Sequence, residues 1–377
     1  MELLFAPLDI GGKTLPNRVV RSATWEGLAD EEGFVQNELV RLTGQLARFE
    51  VGLIIPGYLY IRPDGRGLPR QTGIWSDAHI PGLNRLVSSV HEQGALAVAQ
   101  IAHAGGRTRR ETIGGKTPSA PSSIPEMAFG ETPAQLSVSE IHELVKSFAE
   151  AARRAREAGF DGVQLHAAHG YLLSQFLSPY YNRRQDAYGG SPADRRRFLI
   201  EVFDAVRDAT GDGYPILMKI NTSDGVEGGI SISEALEASR ELAARGLCAV
   251  ETSGGMAGSD QYRPSRTGIQ KPSQEAYFRD MARAFKQGGI DIPVILVGGI
   301  KSPEVAEDVL QGGDADAVSM SRPFICEPDL VLRWRSGDRN PARCTSCNLC
   351  LAEGLKGSGI ACVGVSNEQT YQQEERK

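Results

Sequence analysis

Gly162-Val163-Gln164-Leu165-His166-Ala167-Ala168-His169-Gly170-Tyr171 reads as a buried strand that ends in a cluster of polar side chains. The apolar residues from Gly162 to His166 suit a strand covered on both sides. The preceding stretch, Ser139 to Ala158, has helical periodicity, with Ser139 as the predicted N-cap and Gly159 as the stop. Working outward, similar short runs occur near Arg18 to Ser22, Val51 to Pro56, Leu96 to Ile101, Ile216 to Ile220, Cys248 to Thr252, Pro293 to Val297 and Ala317 to Met320. Amphipathic stretches separate them, for example Ser302 to Leu310, opened by Ser302-Pro303. Eight strand–helix units predict an α/β fold, a (β/α)8 TIM barrel over residues 1–335, rather than an open doubly wound sheet. Residues 336–377 are then a short cysteine-rich C-terminal extension.

Composition sets the surroundings. A chain of 377 residues with 41% hydrophobic and 23% charged residues is ordinary for a globular protein. A net charge of -6 offers no counter-charge to nucleic acid or to an anionic membrane. No segment reaches the 18 or so uninterrupted apolar residues of a membrane span, and the N-terminus lacks a secretory pattern, so a cytoplasmic location is expected. Of six cysteines, Cys248 and Cys326 read as isolated, while Cys344, Cys347, Cys350 and Cys362 cluster, unlike a disulfide framework. A homo-oligomer is compatible with these features.

Active sites of such barrels lie at the C-terminal ends of the strands. The polar residues there are Ser22, Ala23, Thr24 and Trp25 on strand one, Gln100 and His103 on strand three, His166, His169 and Tyr171 on strand four, and Lys219 on strand five. Single histidines such as His91 and His103 most often serve structure. The pair His166 and His169 differs, because two donors and the Tyr171 phenol can converge on one substrate. Gly298-Gly299 and Ser321-Arg322 end strands seven and eight, where barrels commonly hold phosphate on backbone N–H groups and an arginine. The insertion from Gly105 to Pro133 is long enough for a lid. No Gly-x-Gly-x-x-Gly turn joins a strand to a helix, so NAD(P)H is expected to bind transiently.

These residues resemble the Old Yellow Enzyme family of FMN oxidoreductases over most of the chain. The likeness is carried by Leu4-Phe5-Ala6-Pro7-Leu8 with Asn17-Arg18, Gly73-Ile74-Trp75, Gln100 to Gly105, His166 to Tyr171, Phe176-Leu177-Ser178-Pro179, Tyr188-Gly189-Gly190-Ser191 with Arg195, Val297 to Ile300, and Ser321-Arg322. The resemblance implies FMN held by Ser22, Ala23, Thr24, Gly57, Gln100, Lys219, Gly298, Gly299, Ser321 and Arg322. Gln100 would meet the pyrimidine edge of the ring. Lys219 stands where the family usually has an arginine, and supplies a point charge in place of a bidentate fork. By the same resemblance, His166 and His169 polarise the carbonyl of an enone or enoate, hydride arrives from flavin N5, and Tyr171 protonates the α-carbon. Trp25 and Tyr58 would shape the substrate pocket. Trp25 replaces a smaller family residue, and its neighbour Glu26 is also unusual.

The segment Cys344-x2-Cys347-x2-Cys350-x11-Cys362 suits a [4Fe–4S] cluster or zinc by its spacing. It is similar to the iron–sulfur segment of the larger relatives trimethylamine dehydrogenase and 2,4-dienoyl-CoA reductase, which favours iron–sulfur and electron exchange with FMN. The leading expectation is an FMN-dependent ene-reductase fed by NAD(P)H. Two others are an amine dehydrogenase or demethylase, and an electron-transfer flavoprotein subunit serving a redox partner protein.

Overall fold

A computed structural model of the chain describes residues 1–256, 259 and 263–364. The last 13 residues of the predicted extension, 365–377, lie outside the described residues. The barrel strands are β1 Val19–Arg21, β2 Leu53–Ile54, β3 Leu96–Ala102, β4 Gly162–Ala167, β5 Ile216–Asn221, β6 Ala249–Ser253, β7 Val294–Val297 and β8 Ala317–Met320. Each pairs in parallel with the next in sequence, and β8 pairs with β1 through Val318↔Val19 and Met320↔Arg21, which closes the sheet. The (β/α)8 barrel expected from the alternation is therefore the fold. Strand two is shorter than predicted, and strand six is shifted by one residue.

The principal helices are α1 Asn37–Arg48, α2 Ile80–His91, α3 Val138–Glu157, α4 Pro192–Thr210, α5 Ile232–Ala244, α6 Arg279–Gln287, α7 Pro303–Gln311 and α8 Leu330–Arg335. The start of α3 differs from the prediction: Ser137, not Ser139, is the N-cap. The reason is reciprocal bonding, since the Ser137 hydroxyl accepts from the Glu140 N–H while the Glu140 carboxylate accepts from the Ser137 N–H. Ser302 does precede α7, but its hydroxyl donates 2.5 Å to Glu275 instead of capping the helix. The inner face of α3 buries Ile141, Leu144, Phe148, Ala151, Ala152 and Ala155. Each large apolar side chain there stabilises the fold by roughly 1.5–3 kcal/mol.

Strand alternation sorts the core into layers. Val163, Leu165, Met218, Ile220, Val250 and Val318 belong to the cluster between sheet and helices. Their neighbours in sequence point into the barrel. There a lower layer of Val20, Leu53, Val98, Leu217, Ala249, Ile295 and Ala317 is apolar, and Ile10 and Leu15 of an N-terminal hairpin (Leu8–Ile10 with Lys13–Leu15) pack against it. Two residues further along five of these seven strands, the inward positions become Ser22, Gln100, Lys219, Glu251 and Ser319, all buried. The sheet thus presents a polar floor at the C-terminal end of the barrel. Among the described residues no helix is long and apolar enough to cross a membrane.

Candidate active site

The polar floor is a connected network. Glu251, fully buried, takes hydrogen bonds on Oε1 from the Ser22 hydroxyl at 2.8 Å, the Ser319 hydroxyl at 2.9 Å and Lys219 Nζ at 3.1 Å. Its other oxygen accepts from Gln164 Nε2 at 3.0 Å, and Gln164 Oε1 accepts from Gln100 Nε2 at 2.6 Å. Lys219 Nζ also donates to Ser22 Oγ at 2.7 Å. Burial alone would raise the Glu251 carboxyl, but Lys219 and the two serines outweigh it and hold the group below its usual range. Lys219 is consequently a fixed buried cation, paired on one side. Gln164, Glu251 and Ser319 were absent from the sequence-based site. The only trace of them in the sequence was a single polar residue inside a strand, two positions beyond an apolar inward one for Glu251 and Ser319.

Above this floor stand the side chains of the β4 run. Strand register sets His166 opposite Lys219, and the His166 and His169 rings lie 5.2 Å apart at nearly right angles. Tyr171 is 5.0 Å from the His166 ring, and its hydroxyl donates to the Tyr58 hydroxyl at 2.9 Å. The chain turns there by placing His169 at φ 64° and Gly170 at φ 77°. The non-glycine residue is held in that left-handed state by the bond from its N–H to Asn221 Oδ1 at 3.0 Å and by its ring nitrogen Nε2, 2.8 Å from Ser253 Oγ. Burial, with Lys219 and Arg107 nearby, holds the His166 imidazole well below its ordinary range. Burial, His166 and Lys219 do the same to His169. Both rings are therefore neutral at pH 7. Burial and the neighbouring Tyr171 raise the Tyr58 phenol.

Arg107 comes from the Gly105 to Pro133 insertion. Its guanidinium lies 4.9 Å from the centre of the Tyr171 ring and donates to the His169 carbonyl. Sequence reasoning identified the loop but not this residue. Trp25 is buried against Tyr58, Ala102, Ala104 and Tyr171, and its indole N–H donates to the Pro69 carbonyl at 3.0 Å. Glu26 pairs with Arg21, 3.6 Å away, and accepts from the Gly57 N–H at 3.1 Å. Burial pushes its carboxyl up to about 7, against the opposing pull of Arg21. His91 bonds Asp161 at 2.7 Å, and His103 accepts from the Gly105 N–H at 3.0 Å. Both lie outside the cluster of catalytic candidates.

At the ends of β7 and β8, Gly299, Ser321, Arg322, Lys301 and Tyr277 line a cavity of about 80 Å³. Gly298 and Gly299 run beneath the Tyr277 ring, and a Cβ on Gly299 would come within 2.6 Å of it, so only glycine lets the backbone pass. Thr24 and Ser321 hydroxyls are 2.6 Å apart. These features fit FMN: a cavity with an arginine and bare backbone for a phosphate, a buried cation at Lys219, and a His166 Nδ1 that is buried without a hydrogen-bond partner.

After α8 the chain returns across this face. Lys301 Nζ donates to the Cys344 carbonyl at 2.9 Å, Arg322 to Asn348 Oδ1 at 2.7 Å, and the Ile360 N–H to the Glu26 carbonyl at 2.7 Å. Gly354 sits on Trp25, where a Cβ would approach the indole within 2.8 Å. Cys344, Cys347, Cys350 and Cys362 line one cavity of about 510 Å³. Cys326 lines it too, which corrects its reading as isolated: the short helix Arg322–Cys326 after β8 delivers it there from the barrel. The donor chemistry is that of an iron–sulfur or zinc site. Among the described residues, however, no group of three or more His, Cys, Asp or Glu side chains is gathered closely enough to hold a metal ion.

The model of the NADH:flavin oxidoreductase / NADH oxidase family matches residues 3–340. The chain is 35% identical over 348 residues to the NADH oxidase of Thermoanaerobacter brockii, covering 92% of this chain and 53% of that protein. It is 38% identical over 327 residues to an NADPH dehydrogenase of Geobacillus sp., covering 86% and 92%. Among solved structures, a 2-naphthoyl-CoA reductase in complex with 2-naphthoyl-CoA superposes with a TM-score of 0.90 at 28% identity, covering 96% of this chain and 56% of that one. The chain thus spans about half the length of the first of these relatives.

Proposed function

Because the chain belongs to the NADH:flavin oxidoreductase / NADH oxidase family, we propose that it is an FMN-dependent oxidoreductase that reduces an activated alkene, an enone or enoate, with NAD(P)H as electron source. The observation that carries the reading is the convergence of two neutral imidazoles, His166 and His169, with the Tyr171–Tyr58 phenol pair beside the buried cation Lys219. FMN would be held by Ser22, Ala23, Thr24, Gly57, Gln100 and Lys219 along the ring, and by Gly298, Gly299, Ser321 and Arg322 at the phosphate. Bound there, it supplies two-electron reduction of the substrate's β-carbon.

The chain's own residues do the rest. A neutral imidazole donates one N–H without needing to lose a proton, so His166 and His169 can bind a carbonyl oxygen and hold the charge that gathers on it. Tyr171 Oη gives its proton to the α-carbon. The phenolate left behind is stabilised by the Arg107 cation over its ring and by Tyr58 Oη. Trp25, Tyr58 and the Gly105 to Pro133 insertion exclude water from this chamber. The four cysteines Cys344, Cys347, Cys350 and Cys362 are proposed as ligands of a [4Fe–4S] cluster on their spacing and donor type. Iron and sulfide analysis of anaerobically purified protein decides that point.

The reaction is tested anaerobically. The purified protein should carry FMN, be bleached by NADH or NADPH, and be reoxidised by 2-cyclohexenone. Bleaching without reoxidation by any of a panel of enones and enoates would overturn the alkene reading and leave the flavin assignment standing.

A further inference from the structure

His169 has four polar atoms, and the protein engages three of them. Its N–H donates to Asn221 Oδ1 at 3.0 Å, its carbonyl accepts from Arg107, and its ring Nε2 lies 2.8 Å from Ser253 Oγ. Nδ1, the fourth, has no hydrogen-bond partner among the described residues, and of His166, His169 and Tyr171 it is His169 that is most exposed. The grip comes from two adjacent strands. Asn221 and Ser253 are register partners at the ends of β5 and β6. Asn221 Nδ2 is itself tied to Asp224 Oδ1 at 2.9 Å and to the Gly255 carbonyl at 3.1 Å. The Ser253 carbonyl accepts from both the N–H and the hydroxyl of Thr222, each at 2.8 Å. Asn221, Thr222, Asp224 and Ser253 are all buried, so the bracket around His169 is fixed before any ligand arrives.

The direction of the bond between Ser253 and the ring sets what Nδ1 can do. The Ser253 hydroxyl is buried, carries one proton, and has His169 Nε2 as its one partner among the described residues. A buried hydroxyl that fails to donate leaves its proton unpaired, so the hydroxyl donates and Nε2 accepts. A neutral imidazole that accepts at Nε2 holds its own proton at Nδ1. We propose that Ser253 is a positioning residue that fixes His169 as the Nδ1–H tautomer, while Asn221 fixes its backbone, so that the ring presents its one N–H to the oxygen of the substrate. In the opposite tautomer the open nitrogen would carry a lone pair, which repels a carbonyl oxygen, and the charge gathering there would be left to His166. No bond breaks at Ser253. It decides which nitrogen of its neighbour keeps the proton. The effect on turnover rests on the proposed alkene reduction, whereas the tautomer itself does not.

The test uses the full chain as purified, labelled with nitrogen-15 at histidine. Long-range proton–nitrogen correlation spectra at neutral pH report the tautomer of each ring, and His169→Gln identifies the signals of His169 by their loss. The expected result is a proton on Nδ1 and none on Nε2. Ser253→Ala, checked for folding by its melting temperature, should move the ring toward the Nε2–H form. It should also slow reoxidation of the flavin by 2-cyclohexenone about 10²-fold, the low end of what losing one donor to a developing oxyanion costs. Ser253→Thr keeps the hydroxyl and should restore both readouts. An Nε2–H ring in the parent, an Nδ1–H ring that survives Ser253→Ala, or a changed tautomer with reoxidation unaffected overturns the proposal. A parent that no enone reoxidises would sink the alkene reading, and the tautomer spectra would still decide the role of Ser253.

Discussion

Replacing Glu251 with glutamine tests the polar floor most directly. The carboxylate accepts from Ser22, Ser319 and Lys219 on one oxygen and from Gln164 on the other. An amide keeps one acceptor and turns a second donor toward Gln164 Nε2. Gln164 cannot flip to receive it without turning its own NH2 group onto Gln100 Nε2, which donates to it at 2.6 Å. Lys219, only 3% exposed, is meanwhile left without its counter-charge. Removing one partner of a buried pair costs about 3–5 kcal/mol. At roughly 2.1 cal/mol/K per residue, the unfolding entropy of 377 residues makes that a melting-temperature drop of about 4–6 °C. Differential scanning calorimetry measures it. The double variant Glu251→Leu/Lys219→Met, which deletes both charges, should lose less than the two single changes together. A drop of under about 1 °C for Glu251→Gln, or a double variant at least as costly as the sum, would refute the network as described.

Other outcomes follow from the same geometry. Tyr171→Phe should slow reoxidation of the flavin by an enone about 10²–10⁴-fold, with reduction by NAD(P)H little changed in a stopped-flow experiment. Equal slowing of both halves would remove its role as acid. His166 and His169 have folded-state pKa values well below the unfolded value near 6.5, so the unfolded chain binds more protons as pH falls below that value, and stability drops. Melting temperatures from pH 7.5 to 5 should decline less steeply in His166→Gln than in the parent. Glu26 has the opposite sign. Its carboxyl is raised to about 7 from 4.5, so its stabilising protonated state is lost as pH rises through about 7. Glu26→Gln should gain on the parent at pH 8 relative to pH 6, and a constant difference would argue against it. Ser137→Ala removes the α3 capping box and should cost about 1 kcal/mol with activity unchanged.

The barrel was legible because each strand is a short apolar run between helices, a signal that survives errors of a residue or two. The Ser137 cap was missed because two serines compete there, and only Ser137 has a glutamate three residues on. His166, His169, Tyr171 and Tyr58 were readable as a group, since three of them share one strand end. Glu251 was not, although it touches all the neighbours that matter: its bond to Ser22 spans 229 residues, and a single acidic residue in an apolar run gives no partner by inspection. The same distance hid Arg107, whose loop was noticed for its length while its cation–π contact with Tyr171 depends on how the loop folds back. Cys326 lacked the regular spacing that drew attention to the other thiols.

The N-terminal hairpin has a consequence for the electrostatics above it. By packing Ile10 and Leu15 into the apolar lower layer, it stoppers the barrel and turns it into a vessel with one mouth. Lys219 and Glu251 then rest on a hydrocarbon layer, which screens their field far less than water would. Any charge gained or lost during turnover must be answered from above, by Arg107, Tyr171 and whatever sits in the mouth. A leak at the stopper, far from every reacting atom, would admit water under the floor and weaken each of those responses together.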